Sequence, residues 1–254
     1  MAEYPLLEHD ESVPALIEPT RIIRPRDVPI HCVLCFFREV IVKLHQAGTT
    51  RFLFDLKSEM GPNPVYEFGS DGNRTAVVHP GVGASLASTF LEELIAFGCR
   101  KFIACGGAGV LDRELAVGHV IVPDCALRDE GTSYHYLPPG RTVNASPAGV
   151  EAIIRALQAR GVEYVIGKTW TTDAPYRETP AIIQKRKAEG CLTVEMEAAA
   201  LFSVAQFRHV TLAQILYGGD DVSGLEWDHR DWHRRESTRE KIFRLAAKAC
   251  LEIE

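Results

Sequence analysis

The chain of 254 residues is 46% hydrophobic and carries 28 Lys+Arg against 34 Asp+Glu, a formal net charge of -6. That is enough apolar material for one large α/β domain, and the acidic balance argues against a nucleic-acid partner, which would want a basic face. No apolar run approaches the roughly 18 residues of a membrane span. The acidic start (Glu3, Glu8, Asp10, Glu11) lacks the h-region of a signal peptide, so a cytoplasmic location with reduced, buried thiols is expected.

Residues 1–28, rich in Pro and charge, read as an extended arm able to dock on a partner subunit, and 29–254 as the folded domain. Pro29–Phe36 reads as the first strand. Its Cys32 and Cys35 form a CxxC, but residues three apart on a strand face opposite sides and cannot share a metal. A helix over Arg38–Gln46 follows, then short strands Thr50–Asp55 and Val65–Phe68, with Gly61–Pro64 as a turn. Strand Arg74–His79 runs into Pro80–Gly81–Val82–Gly83 and a helix in which Leu86, Phe90, Leu94 and Phe97 recur at helical spacing, closed by Gly98. Strand Lys101–Cys105 leads to Gly106–Gly107–Ala108–Gly109. Both glycine segments read as turns after strands, able to offer backbone N–H groups to an anion or a sugar; simple tight turns explain them equally well.

Val117–Pro123 reads as a strand and Arg128–Tyr136 as a polar loop. A helix over Ser146–Arg160 and a strand over Glu163–Lys168 come next. The apolar residues before Glu195–Met196–Glu197 read as a strand, and the Ala-rich run after them as a helix. Two carboxylates there suit the positive end of a helix dipole and also stand where open α/β sheets bind ligands. The last strand, Thr211–Tyr217, ends in Gly218–Gly219–Asp220–Asp221, and Asp228–His233 opens a final helix. His229 and His233 lack the HExxH glutamate and read as surface histidines. The alternation predicts a three-layer α/β/α sandwich around a mixed, mostly parallel sheet.

The run Val194–Glu195–Met196–Glu197–Ala198–Ala199–Ala200–Leu201–Phe202–Ser203–Val204–Ala205 resembles the signature of the nucleoside phosphorylase superfamily, the purine nucleoside and uridine phosphorylases with their nucleosidase relatives. The two glycine segments, in this order before Glu197, and Thr172–Thr179 strengthen the likeness. Arg128–Tyr136 resembles the Asp-Gly-x-Ser-x-His segment of the uridine-phosphorylase-like branch. The resemblance implies cleavage of an N-glycosidic bond through an oxocarbenium-like state, with inorganic phosphate as co-substrate and no metal or organic cofactor. It makes Glu197 the holder of the ribose hydroxyls, a task suited to an acceptor-only carboxylate, and packs Met196 on the sugar. Asp220 then serves the departing base, while Glu195, Gly83, Gly106, Gly107, Tyr176 and His135 line the substrate site. Pro175 stands where relatives stack a Phe on the base, so Tyr176 or Trp170 is expected to supply that face.

The resemblance further implies a homo-oligomer, a dimer or a hexamer, whose subunits complete each other's sites. Arg38 and Arg51 are the candidate phosphate ligands, Arg51 by reaching across. Where phosphorylases carry an arginine and a Ser or Thr near the second glycine segment, this chain has Ala104 and Gly107. A nucleosidase using water, with Glu39 as base, is therefore the alternative reading. A nucleoside-binding protein without chemistry is another, because Gly219 replaces the serine that relatives place before Asp220.

Overall fold

A computed structural model describes residues 4–11, 14–69 and 73–254; residues 1–3 and 12–13 of the expected arm lie outside it. In chain order the elements are α1 (Pro19–Ile22), β1 (His31–Cys35), α2 (Arg38–Gln46), β2 (Thr50–Ser58), β3 (Gly61–Phe68), β4 (Thr75–Val78), α3 (Ala84–Phe97), β5 (Lys101–Val110), β6 (Val120–Asp129), β7 (Thr142–Asn144), α4 (Pro147–Gln158), β8 (Tyr164–Thr172), α5 (Pro180–Ala188), β9 (Cys191–Glu195), α6 (Ala198–Phe207), β10 (Thr211–Asp221) and α7 (Glu236–Leu251).

The strands form one mixed sheet in the order β10-β6-β8-β9-β5-β1-β4-β3-β2, with β7 on β6. Its centre, β4-β1-β5-β10, is parallel, as is β6-β8-β9. Because β10 also pairs with β5, the strands β5, β10, β6, β8 and β9 close on one another and remove two open edges. Helices α2, α4 and α7 pack together on one side, and α3 with α6 on the other, giving the expected three layers. The first strand of the core, Cys32–Cys35, is fully buried, as parallel strands covered on both faces must be. Helix α6 is buried from Ala198 to Ala205, which accounts for its apolar character all round. No helix among the described residues is long and apolar enough to cross a membrane.

Several expected boundaries move. Gly106–Gly109 is not a turn: β5 continues to Val110, with Leu216 opposite Gly106 and Tyr217 opposite Gly107. None of these glycines has a positive φ. They are small because neighbours come close: a Cβ on Gly107 would lie 3.1 Å from Tyr217 Cε1 and 3.2 Å from the Trp232 ring. β10 likewise runs through Gly218–Asp221. Gly61–Pro64 lies inside β3, and the hairpin turns at Glu59–Met60 instead. Arg128 and Asp129 belong to β6, so the polar loop begins later. The final helix starts at Glu236; Asp228–His233 is irregular, with left-handed Arg230 and Asp231. Helix α5 was not foreseen.

The arm folds back onto its own chain. Glu18 is buried and pairs with Arg208, which also binds Glu92 of α3 at 2.7 Å. The Arg26 guanidinium lies over the rings of Phe54 and Phe97.

Candidate active site

The segments after β1, β4 and β9 meet the middles of β5 and β10 in one region of the sheet. One cavity opens there and a second at the end of β10.

The inner cavity, about 230 Å³, is lined by Phe36, Phe37, Val82, Gly106, Gly107, Glu195, Met196, Glu197, Gln214, Trp232 and Arg239. Its two glutamates do different work. Glu195 Oε2 accepts the N–H groups of Glu197 (2.8 Å) and Ala198 (2.7 Å), while Oε1 accepts the Thr171 hydroxyl (2.6 Å). Thr171 Oγ1 in turn accepts the N–H of Ala199. The first turn of α6 is thus capped by the ends of β8 and β9 rather than by its own preceding side chain. Glu195 lines the cavity, as expected of it, and with these bonds also holds the Met196–Glu197 bend in shape.

Glu197 is the carboxyl left for a ligand. Its Oε1 accepts the N–H of Gly83 at 2.6 Å. Gly83 has φ +90 and caps α3, a backbone that L side chains rarely adopt. Burial and the neighbouring Glu195 charge both push the Glu197 carboxyl up from the usual range. Burial raises the Glu195 carboxyl too, but its three donors pull it back, so Glu197 is the more strongly raised of the two.

The inner cavity has one further polar feature that the sequence did not signal. Gln214 on β10 is buried, and its Oε1 has no partner. It stands beside Ala104 in the strand register. The only cation among the lining residues is Arg239, and it is engaged: it binds Glu39 at 2.6 Å and the Tyr217 hydroxyl at 3.1 Å, and lies over Phe37 and Trp232.

The outer cavity, about 410 Å³, is lined by Pro175, Tyr176, Glu178, Pro180, Ile183, Asp220, Val222, Gly224, Leu225, Glu226 and Trp227. Asp220 Oδ2 accepts the Trp227 indole N–H at 2.7 Å. Its neighbour Asp221 is buried and tied to Arg230 at 2.5 Å, a structural pair. Tyr176, Leu225 and Trp227 are 98%, 93% and 64% exposed, so apolar walls stand open at the mouth. Glu178, unnoticed in the sequence, is pushed up to about 7 by burial and by the Asp220 charge. Both cavities draw on β10, the inner one through Gln214 and the outer one through Asp220, and Asp220 Oδ1 lies 3.6 Å from where a Cβ on Gly109 of β5 would stand.

Other expected residues sit elsewhere in the chain. His135 is exposed and lines a separate groove, with Ser85, Tyr136 and the arm residues Ile17 and Ile22. Arg51 is bound to Glu67 in the β2–β3 hairpin. Arg38 is exposed at the start of α2; burial of the His79 ring lowers that group's pKa, and the Arg38 charge lowers it further. Trp170 cannot offer an aromatic face: it is 1% exposed, donates to Asp129 and carries Arg186 over its ring. The aromatic rings that line the outer cavity are those of Tyr176 and Trp227.

The sequence profile of the Phosphorylase superfamily matches residues 33–252. The chain belongs to that superfamily. It is 28% identical over 136 residues to a guanosine phosphorylase of Halorubrum lacusprofundi, covering 54% of this chain and 56% of that one. It is 26% identical over 148 residues to a uridine phosphorylase of Haemophilus influenzae, covering 53% and 59%. The chain thus spans a little more than half the length of these relatives. The superfamily fold is shared with the crystal structure of a purine nucleoside phosphorylase from Toxoplasma gondii, at a TM-score of 0.75 and 21% identity over 91% of this chain and 92% of that one.

Proposed function

We propose that this phosphorylase-superfamily chain is a nucleoside phosphorylase: it cleaves the N-glycosidic bond of a nucleoside with inorganic phosphate, giving free base and sugar 1-phosphate. The observation that carries the reading is the buried Glu197 carboxyl, held by Gly83 N–H in a small cavity that Met196 also lines, with Asp220 in a second cavity at the end of β10. A sugar diol in the inner cavity would donate to Glu197 and pack on Met196. The base would then lie in the outer cavity between Tyr176 and Trp227, within reach of Asp220. Apolar walls with a few convergent polar groups suit a flat heterocycle. The names of the relatives, a guanosine and a uridine phosphorylase, support the same reaction class. In this reading the chain assembles as a homo-oligomer, with the arm and the His135 groove at its contacts and Arg51 available to a neighbour. Nucleoside phosphorolysis of this kind serves nucleoside salvage or catabolism in the cytoplasm.

A second reading, hydrolysis, is favoured by one observation: the inner cavity's Arg239 is already paired with Glu39, and the Gln214 that β10 contributes to the lining is neutral. Phosphate wants fixed guanidinium and N–H donors. The test is base release from a nucleoside panel with and without inorganic phosphate. Sugar 1-phosphate as product supports phosphorolysis; free ribose at an unchanged rate supports hydrolysis.

A further inference from the structure

The outer cavity contains a planar, heteroaromatic N–H donor of the protein's own, the Trp227 indole, seated on Asp220. That occupant marks Asp220 as an acceptor and leaves open which group gives the departing base its proton. Glu178 lines the same cavity from the segment before α5, and among the described residues no hydrogen bond or ion pair engages its carboxyl. We infer that Glu178, not Asp220, is the general acid of this site, with Asp220 orienting the base by accepting from it. The inference rests on the reading that the outer cavity takes the base of a nucleoside.

The surroundings fit an acid that holds its proton near neutrality. From β10 the cavity receives Asp220, from the loop after it Glu226, and from α5 only Pro180 and Ile183; Tyr176 and Arg177 lie on Glu178's own segment. Burial and the Asp220 charge both disfavour a charge on Glu178, which is pushed up to about 7. A catalytic acid is most effective with a value near the working pH. The step balances. The C1′–N bond breaks and its electron pair goes to the base. The Glu178 O–H proton moves to the base, leaving a carboxylate that solvent reprotonates. The nucleophile's oxygen forms the new bond to C1′.

The experiment measures kcat from pH 5 to 9 for the wild type, Glu178→Gln, Glu178→Asp and Asp220→Asn on two substrates. One is a nucleoside; the other is an aryl riboside with an acidic phenol leaving group, which departs without a proton. The inference expects wild-type kcat on the nucleoside to fall as pH rises through the Glu178 titration. Glu178→Gln should lower kcat on the nucleoside by about 10²–10⁴-fold, lose that alkaline limb, and leave the aryl riboside within a few-fold of wild type. Glu178→Asp should keep the limb at reduced rate, and serves if the glutamine variant is poorly folded. An alkaline limb that survives Glu178→Gln, or equal losses on both substrates, would overturn the assignment while leaving the reaction class standing. A wild type that releases no base from any nucleoside takes down the proposed function and this inference with it.

Discussion

Glu195 is the residue on which the shape of the site depends, and its removal should be felt first as lost stability. Glu195→Ala leaves the N–H groups of Glu197 and Ala198 and the Thr171 hydroxyl without their acceptor. Each buried donor so orphaned costs about 1–3 kcal/mol. The three share one carboxylate and do not add fully, so the expected total is roughly 3–5 kcal/mol, the range seen when one side of a buried charged network is deleted. For a chain of this size about 1 kcal/mol corresponds to roughly 2–4 °C, so Tm should drop by about 6–20 °C. Glu195→Gln keeps one oxygen for the two N–H groups but turns an amide donor toward Thr171 Oγ1, and should fall between the two. Scanning calorimetry and urea unfolding of the three proteins measure this. A Tm for Glu195→Ala within 2 °C of wild type, the step expected from about 1 kcal/mol, would refute the capping argument.

The remaining predictions concern single residues. Glu197 has a folded-state value raised above its unfolded one, so its contribution to stability is complete below the ordinary carboxylate range and is lost as pH rises through the raised value. Glu197→Gln should therefore lose less Tm than wild type between pH 5 and 9, while turnover falls sharply because an amide cannot accept both hydroxyls of a diol; unchanged turnover would remove Glu197 from the site. Gly107→Ala should cost about 1–3 kcal/mol and most of the activity, since the methyl meets the Tyr217 and Trp232 rings; thermal melts and an activity assay report both. Arg208→Ala leaves Glu18 and Glu92 without their cation and should release the arm, seen as faster proteolysis near residue 18, with a loss of about 3–5 kcal/mol.

Much of this site is written in local sequence. Glu195–Met196–Glu197 is followed at once by a run of small helix formers, so a carboxylate at a strand end could be placed by pattern. The Pro80–Gly83 turn was legible for the same reason: the positive φ of Gly81 and Gly83 needs glycine. The second glycine run was misread because glycine also marks close approach across a sheet, and nothing local distinguishes Gly107 under the Tyr217 ring from a glycine in a turn. The division of labour between the two glutamates was invisible, since it depends on Thr171 of β8, 24 residues away along the chain. Glu178, Gln214, Arg239 and Trp227 were missed because each enters the site from a different element and carries no motif of its own. A buried lone glutamine on an apolar strand such as Thr211–Tyr217 is the one signal that could have been used.

Base release by the purified protein, with and without inorganic phosphate, tests the central claim most directly. The account predicts that a nucleoside yields free base only when phosphate is present, with sugar 1-phosphate in equal amount, and that Glu197→Gln abolishes the reaction. Release of base at the same rate without phosphate, or activity that survives in Glu197→Gln, would contradict it.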